Sequence, residues 1–342
     1  MKKSLVALAV LAASGAAMAQ SSVTLFGVVD AGYSVGKDTT NSTAMRTDRI
    51  GSSRLGFRGV EDLGGGMRAE FWLEAGVNND NGTGSATNNN NQAVTGANAG
   101  TQGLTFNRKS TVGLVGSMGE LRLGRDYSPQ FYADATYDPF GTNGVASSLI
   151  AYNGGNTAVR ASNMIAYHSP VVSGFKVMVG SYMGENASTA AKVGDGNGFR
   201  ITFDQGKFSA AVADSSLTTG AGTTNKTSNI AGSYDLGVAK VMVMSNTTKI
   251  TGAANIKGSV MGAHVPMAGG TFRIASSQTD QAGKKSSLMA VGFVNPLSKR
   301  TDLYATYGRV SNSGGANAAL NGAVTAANAS STGYEFGIKH AF

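Results

Sequence analysis

The sequence predicts an all-β chain that closes into a transmembrane barrel. Apolar and polar residues alternate with a period of two in sixteen segments, and helical periodicity is hard to find after the N-terminal segment. No later segment is long and apolar enough to cross a bilayer as a helix, so a membrane-spanning chain of this kind has to be a closed β-barrel. Short turns alternate with long polar loops, which is the layout of such barrels. We therefore expect a 16-stranded antiparallel transmembrane β-barrel.

The N-terminal segment has the features of a secretory signal peptide. Two lysines precede an apolar run that begins at Leu5, and Ala17 and Ala19 form a small-residue cleavage site. We expect cleavage after Ala19, so that residues 1–19 are removed and residues 20–342 form the barrel. An uncleaved anchor helix is the alternative, but it needs about 20 apolar residues.

The composition excludes several classes of protein. The chain has 28 basic and 20 acidic residues, and the basic residues are scattered instead of clustered, so we expect no nucleic-acid partner. Cysteine is absent, so an exported chain of this length has no disulfide to stabilise it. The chain has 48 glycines, and single glycines recur inside the predicted strands, which is typical of sheets that curve and close.

The predicted strands follow one another along almost the whole chain. Each combines β-branched or aromatic residues with alternating polar positions. An even number of strands brings both ends of the chain to the same rim, where the short turns lie. The predicted strands are residues 22–33, 53–62, 67–77, 108–117, 120–126, 162–170, 175–184, 198–205, 207–216, 228–236, 239–249, 256–266, 271–280, 287–297, 301–310 and 332–342.

The two faces of the predicted strands differ in polarity. Phe71 and Leu73 alternate with Glu70, Trp72 and Glu74. A soluble sandwich would turn the apolar face inward, whereas a membrane barrel turns it to lipid and encloses the charged face around a lumen. Parity does not decide between the two folds. The absence of a second set of apolar side chains to fill a core favours the barrel.

The last segment also favours the barrel. The chain ends on a bare aromatic residue, although chain termini are usually polar and frayed. Alternate residues of this segment form one apolar face, which needs an apolar environment such as lipid. The apolar residues of this face are Tyr334, Phe336, Ile338 and Phe342.

Several ordered motifs resemble the general porins of Gram-negative bacteria, specifically the β-proteobacterial type. These are SSVTLFGVVDAGY, SSRLGFRGVEDLGGGMRAEFWLE and RKSTVGLVGSMGELRLGRD in the first half, and NPLSKRTDLYATYGRV and GIKHAF near the end. The resemblance covers essentially all of the chain after the signal peptide. It implies a homotrimer in the lipid of the outer membrane and a third loop that folds into the lumen. It also implies that the barrel-assembly machinery recognises the C-terminal apolar face.

The resemblance places the narrowest part of the lumen at the third loop. This loop would run from about residue 126 to residue 159, and it contains no Lys or Arg. Its carboxylates would face a basic wall across the passage. The carboxylates of this expected acidic loop are those of Asp126, Asp134 and Asp138.

On the facing wall, the family has a basic cluster at positions equivalent to Arg54, Arg108 and Arg160. Arg54 and Arg160 are out of phase with the apolar residues of their own segments, as side chains that face a lumen should be. Arg108 is in phase with the apolar residues of its segment. Either the strand begins irregularly after Asn107, or Lys109 takes the place of Arg108.

Further arginines on the charged faces are candidates for the same basic wall. Cations on one side of a narrow aqueous passage and carboxylates on the other would produce a transverse field, and excess arginine would favour anions. Arginine suits this role because it stays protonated at any working pH. The simpler interpretation is that inward arginines solvate a charged lumen and that the loop carboxylates cap turns. These further candidates are Arg58, Arg68 and Arg122.

The expected function is passive diffusion of small hydrophilic solutes, with a preference for anions. A channel specific for phosphate or small organic anions is one alternative, and a surface β-sandwich adhesin is another. No Ser/His pair typical of a hydrolase stands out, and His168, His264 and His340 do not have the spacing of metal ligands. We therefore expect neither an enzyme nor a cofactor.

Overall fold

The structure, a computed structural model, describes residues 22–87, 91, 103–152, 159–185, 192–267 and 269–342. The predicted signal peptide lies outside these residues. The described residues include eighteen strands and two short helices. Neither helix is long and apolar enough to cross a membrane. The elements are β1 Ser22–Lys37, β2 Ser42–Thr47, β3 Arg54–Gly64, β4 Met67–Asn78, β5 Thr83–Gly84, β6 Lys109–Gly116, β7 Gly119–Tyr127, α1 Pro129–Tyr137, α2 Leu149–Tyr152, β8 Arg160–His168, β9 Phe175–Tyr182, β10 Gly196–Gln205, β11 Phe208–Gly220, β12 Thr223–Asp235, β13 Lys240–Ile250, β14 Ile256–Met267, β15 Gly270–Gln281, β16 Lys284–Pro296, β17 Thr301–Ser313 and β18 Ser330–Ala341.

The strands form one closed antiparallel sheet. Neighbouring wall strands pair in chain order, and β1 pairs with β18, which closes the barrel. β2 and β3 pair with successive parts of β1 and together form one strand position of the wall. β5 forms only a two-residue pairing with the end of β4. The wall therefore has sixteen strand positions, and the predicted 16-stranded barrel is confirmed.

Every predicted segment overlaps a strand of the wall, but β2 is not among the predictions. Its sequence, STAMRT, is mostly polar and has no clear apolar face. It extends as a strand because its backbone pairs with that of residues 31–36 of β1. Pairing with a strand that is already in place thus overrides the weak local signal.

Apolar side chains cover the outside of the barrel. Ile230 on β12 is 62% exposed, Val243 on β13 is 56% exposed and Phe336 on β18 is 54% exposed. Large apolar side chains are rarely exposed in such numbers on a soluble domain, whereas a barrel in a bilayer presents them to lipid. The β-sandwich alternative is wrong, because the sheet closes on itself with its apolar face outward.

Apolar side chains also cover part of the inside, which the sequence does not indicate. Ala211 and Ala213 on β11 and Ala231 on β12 are buried against Ala133 and Tyr137 of helix α1. These alanines are small, so the helix approaches the wall closely and leaves no large void. The inner wall is therefore apolar where it carries a helix and charged elsewhere.

The C-terminus is fixed to the first strand. Gly27 and Phe342 exchange two backbone N–H···O hydrogen bonds of 3.1 and 3.0 Å. The ring of Phe342 lies against Gly27, where a Cβ would overlap Cζ of that ring. Tyr334, Phe336 and Ile338 lie on the outer face of β18. The final residues thus complete the sheet and its apolar exterior together.

Candidate functional site in the barrel lumen

The described part of the segment between β7 and β8, residues 128–152, folds into the barrel and is called the third loop below. Pro129 begins α1, and Oγ of Ser128 accepts a hydrogen bond from N of Phe131 at 3.3 Å, which caps the helix. Helix α1 packs against β9–β13, and α2 packs against β14–β16. The third loop therefore narrows the lumen from that side, and the expected inward fold is confirmed.

Carboxylates hold the third loop in its position. Oδ1 of Asp134 accepts a hydrogen bond from Nδ2 of Asn229 on β12 at 3.0 Å. Oδ2 of Asp138 accepts hydrogen bonds from N and Oγ of Ser148 at 2.9 and 2.5 Å, and Oδ1 accepts one from N of Phe140 at 2.8 Å. Burial raises the pKa of Asp138 above its ordinary value, and these hydrogen bonds oppose that change.

The expectation that these carboxylates face the open passage is wrong. Asp134 is 0% exposed and Asp138 is 4% exposed. Asp126 belongs to β7 and lies on the basic wall itself, where Nζ of Lys109 is 3.0 Å from its Oδ2. The physical reason is that a buried carboxylate needs hydrogen-bond donors, and the donors lie in the wall and within the loop.

The wall bends inward between β2 and β3, at residues 48–53. The carboxylate of Asp30, on the inner face of β1, accepts hydrogen bonds from N of Ile50 and N of Gly51 at 2.6 and 2.7 Å. It also accepts a hydrogen bond from the hydroxyl of Tyr304 at 2.5 Å. A carboxylate with three donors is well satisfied in a buried position, so it holds the bend against the wall.

The tip of the third loop meets this bend. The carboxylate of Glu335, on β18, pairs with Arg49 of the bend at 3.3 Å and accepts a hydrogen bond from N of Val145 at 3.1 Å. Oγ of Ser52 donates a hydrogen bond to Oδ1 of Asn143 at 3.0 Å. The loop is thus fixed at its helix and at its tip, on opposite parts of the wall.

Three arginines surround one carboxylate beside the root of the third loop, and we call them the arginine cluster: Arg54, Arg108 and Arg160. Nε of Arg108 is 2.6 Å from Oε1 of Glu74, and Nε of Arg54 is 3.8 Å from the same oxygen. Arg160 lies within electrostatic range of Arg108 and Glu74. Trp72 fixes the carboxylate, since its Nε1 donates to Oε2 at 3.1 Å. One negative charge therefore faces three positive charges.

Arg108 and Lys109 both point into the barrel, although they are consecutive residues. β6 begins at Lys109, so Arg108 precedes the regular pleat and parity does not apply to it. Of the two alternatives for Arg108, the irregular start of the strand is the one that occurs, and Lys109 lies inward as well.

Arg160 reaches the cluster for a reason other than parity. The β7–β8 register shifts between Gly124 and Asp126, and Ala161, not Arg160, lies opposite Asp126. The guanidinium of Arg160 lies 4.7 Å from the ring centroid of Tyr127, and Nη2 is 3.3 Å from its hydroxyl oxygen. This stacking directs the side chain into the barrel at the end of both strands.

A second charged group lies below the cluster, toward the short turns. Nη1 of Arg122 is 2.6 Å from Oδ2 of Asp126, and Nε is 2.6 Å from Oε1 of Glu120. With Lys109, two cations and two carboxylates form this group. It is therefore balanced in charge, unlike the arginine cluster.

The remaining two candidates lie lower in the lumen. Arg58 lies 5.5 Å from the ring centroid of Phe26 and 5.3 Å from that of Trp72, and it has no ion-pair partner among the described residues. Arg68 pairs with Glu70 at 2.5 Å, close to the turn between β3 and β4. Both arginines solvate the wide part of the lumen and do not contribute to the cluster.

The sequence alone does not identify Arg125 as part of this region. Its Nε donates to the carbonyl oxygen of Asn107 at 2.6 Å, and its Nη1 donates to Oγ of Ser162 at 2.7 Å. It lies within electrostatic range of Arg160. Parity assigns Arg125 to the outer face, because the bulge that turns it inward leaves no periodic signal. In the described part of the chain, no group of three acidic or histidine side chains is placed to hold a metal ion.

A closed barrel with an apolar exterior, a charged lumen and an inward loop defines a water-filled channel of the outer-membrane type. Residues 4–315 match the family model described as Gram-negative porin. The chain therefore belongs to the Gram-negative porin family. It forms a channel in the outer membrane of a Gram-negative bacterium, as the resemblance predicts.

Relatives of known name agree with this assignment. The outer membrane porin protein 32 of Delftia acidovorans is 37% identical over 369 residues, which cover 100% of both chains. An outer membrane porin protein of Bordetella pertussis is 34% identical over 256 residues, 69% of this chain and 59% of that one.

Solved structures have the same fold. The anion-selective porin from Comamonas acidovorans superposes with a TM-score of 0.81 and 32% identity, over 94% of this chain and 100% of that one. Salmonella typhi OmpF in complex with daunomycin has a TM-score of 0.69 at 15% identity, over 94% of this chain and 97% of that one. The likeness to OmpF is one of fold alone.

Proposed function

We propose that this porin passes small hydrophilic solutes by diffusion and prefers anions at its narrowest part. The observation that carries this proposal is the charge of the arginine cluster. Arg54, Arg108 and Arg160 share Glu74 as their carboxylate partner within the described residues. A narrow passage with an excess of fixed positive charge lowers the energy of an anion and raises that of a cation. The anion-selective porin named above, which is similar over nearly the whole chain, supports the same preference.

Replacing the cluster charges tests the proposal. In the double variant Arg54→Gln/Arg160→Gln, the anion-to-cation permeability ratio should fall by about fivefold, because each partly screened charge shifts a nearby ion by about 0.5 kcal/mol. The ratio is measured as the reversal potential of single channels in a potassium chloride gradient.

Arg309→Gln is the matched control. Arg309 lies on the outer face of β17 and is exposed, so its replacement changes the net charge but not the lumen. The reversal potential of this variant should equal that of the native protein. A native channel that prefers potassium, or a double variant with an unchanged reversal potential, would contradict the proposal.

The alternative of a channel specific for one anion is separable by conductance. A general diffusion pore conducts chloride in proportion to its concentration, whereas a specific channel saturates with its own substrate. We expect a proportional increase with potassium chloride, since the described lumen is lined by charges on several strands instead of one closed ligand site.

Assembly follows from the same family assignment, and three further proposals concern it. We propose that residues 1–19 are removed on export, that the C-terminal apolar face of β18 is recognised by the barrel-assembly machinery, and that the mature protein is a homotrimer. The outward position of Tyr334, Phe336 and Ile338 supports recognition of that face. A monomeric mass in mild detergent would contradict the trimer.

A further inference from the structure

A basic recess lies in the lumen between the third loop and the rim with the short turns. Its cavity volume is about 220 Å³, and Tyr132 of helix α1 covers it from above. This volume is large enough for a small anion with several water molecules, since one water occupies about 30 Å³ in the liquid. The recess is separate from the arginine cluster. The polar side chains that line it are Lys109, Arg122, Tyr132, His168, Lys176 and Arg200, with Thr202.

Half of the cations in the recess are already neutralised. Lys109 and Arg122 form ion pairs with Asp126. Lys176 and Arg200 form no ion pair with any residue that the structure describes. The nearest carboxylate on their strands, that of Asp204, instead accepts a hydrogen bond from Oγ of Ser209 at 2.5 Å. Two positive charges therefore lie in the recess without a counterion.

The two free cations are close enough to bind one ligand together. Met178 on β9 lies directly opposite Arg200 on β10, and Lys176 lies opposite Thr202. Lys176 and Arg200 are thus diagonal neighbours on the inner face, with Cα atoms about 7 Å apart. The hydroxyl of Thr202 lies between them on the same face. This spacing suits a ligand with two negatively charged ends or several anionic oxygens.

Buried polar atoms in the recess also lack partners. Nε of Arg200 and Nε2 of His168 are buried and have no hydrogen-bond partner among the described residues. An unsatisfied buried donor costs about 1–3 kcal/mol, so such atoms are uncommon in folded proteins. An anion in the recess would accept hydrogen bonds from both side chains.

We propose that this recess is a transit site for doubly charged oxyanions, such as hydrogenphosphate, sulfate or a small dicarboxylate. Anions that pass the arginine cluster enter the recess before they leave at the short-turn rim. Monovalent anions such as chloride offer one charge and no hydrogen-bonding oxygens, and they pass without delay. The inference rests on the proposed anion preference and extends it to a second site and a class of ligand.

Competition between hydrogenphosphate and chloride tests the proposal. Single-channel conductance is measured in potassium chloride while potassium hydrogenphosphate is added at constant ionic strength and mildly alkaline pH. In the native protein, hydrogenphosphate should lower the chloride conductance to a plateau. In Arg200→Gln, the concentration for half of this effect should rise about tenfold, because a charge-assisted hydrogen bond is lost.

Arg273→Gln is the matched control for charge. Arg273 also faces the lumen and has a buried Nε without a partner among the described residues, but it lies on β15, away from the recess. Its replacement removes the same charge and should leave the half-effect concentration unchanged. Lys176→Gln is a second test of the recess, and it serves where Arg200→Gln fails to give a heat-modifiable barrel.

The outcomes separate this inference from the proposed function. An anion-selective native channel whose chloride conductance is unaffected by hydrogenphosphate would overturn the transit site and leave the anion preference intact. An equal effect of Arg273→Gln and Arg200→Gln would also overturn the site, since bulk charge would then explain the result. A reversal potential that indicates cation preference would instead contradict the proposed function.

Discussion

Glu74 receives more positive charge than one carboxylate can neutralise. Arg54 and Arg108 both approach its Oε1, and Arg160 lies in range of it. Parity along β4 places Glu74 inward, and that part of the site could be predicted from the sequence. The positions of Arg108 and Arg160 could not, because both lie at strand ends where the pleat is irregular.

At this scale, Glu74→Gln should increase the anion preference. The substitution keeps the shape of the side chain and removes the negative charge beside Arg54 and Arg108. The permeability ratio should rise about two- to threefold, since one partly screened charge is worth about 0.5 kcal/mol to a nearby ion. Reversal potentials in a potassium chloride gradient measure it.

Glu120→Gln provides the comparison for this variant. Arg122 keeps Asp126 as a partner when Glu120 is neutralised, so the permeability ratio should change less. A lower anion preference in Glu74→Gln than in the native protein would contradict the role given to the cluster.

The third loop is positioned by contacts that no periodic pattern predicts. Its helix packs on the alanines of β11 and β12, and its tip is fixed to Glu335 and the inward bend. Gly144 lies where the tip meets the bend, with φ of +67°. A Cβ at this position would overlap the backbone oxygen of Arg49 and Oε1 of Glu335. Glycine is therefore required both by its backbone conformation and by the close approach.

At the scale of the element, Gly144→Ala should displace the tip of the third loop. The single-channel current should become noisier, with excursions to higher conductance, because the tip no longer closes against the bend. Planar bilayer recordings at fixed voltage measure this effect.

Gly141→Ala separates strain from overlap. Gly141 has a similar φ of +65°, but a Cβ there would meet only the side chain of Asn143, at 3.9 Å. This control carries the same backbone cost of about 1–2 kcal/mol without the overlap. Equal noise in the two variants would show that the contact with the bend is not what holds the tip.

The whole molecule is held together by a closed hydrogen-bonded sheet and not by a dry centre. Its buried apolar clusters lie between the third loop and the inner wall, while the largest apolar area faces outward. Closure between β1 and β18 satisfies the edge groups that lipid cannot. The stability of the barrel in a bilayer therefore depends on keeping charge off its outer face.

At this scale, Ile230→Arg should destabilise the folded barrel by about 2–4 kcal/mol, the cost of arginine on a lipid face near the bilayer midplane. Ile230 lies on the outer face of β12 and is exposed. Urea unfolding of the protein in lipid vesicles measures the free energy of unfolding.

Thr24→Arg introduces the same charge on the other face. Thr24 lies on β1 and lines a lumen cavity of about 310 Å³, so arginine there stays in water. Its cost should be well below that of Ile230→Arg. Equal costs would contradict the assignment of the two faces.

The order of the strands, the face that each strand presents to lipid, and the closing role of the final aromatic strand were determined by the sequence itself. These features follow from the two-residue pleat and from the few turn types that join neighbouring strands, both of which are local. The tertiary structure alone decided that the loop carboxylates are buried, that Arg160 and Arg125 lie inward, and that Lys176 and Arg200 form an unpaired basic recess. Such features depend on bulges, on small side chains that admit a helix, and on partners far apart in the chain, so no period along the sequence records them.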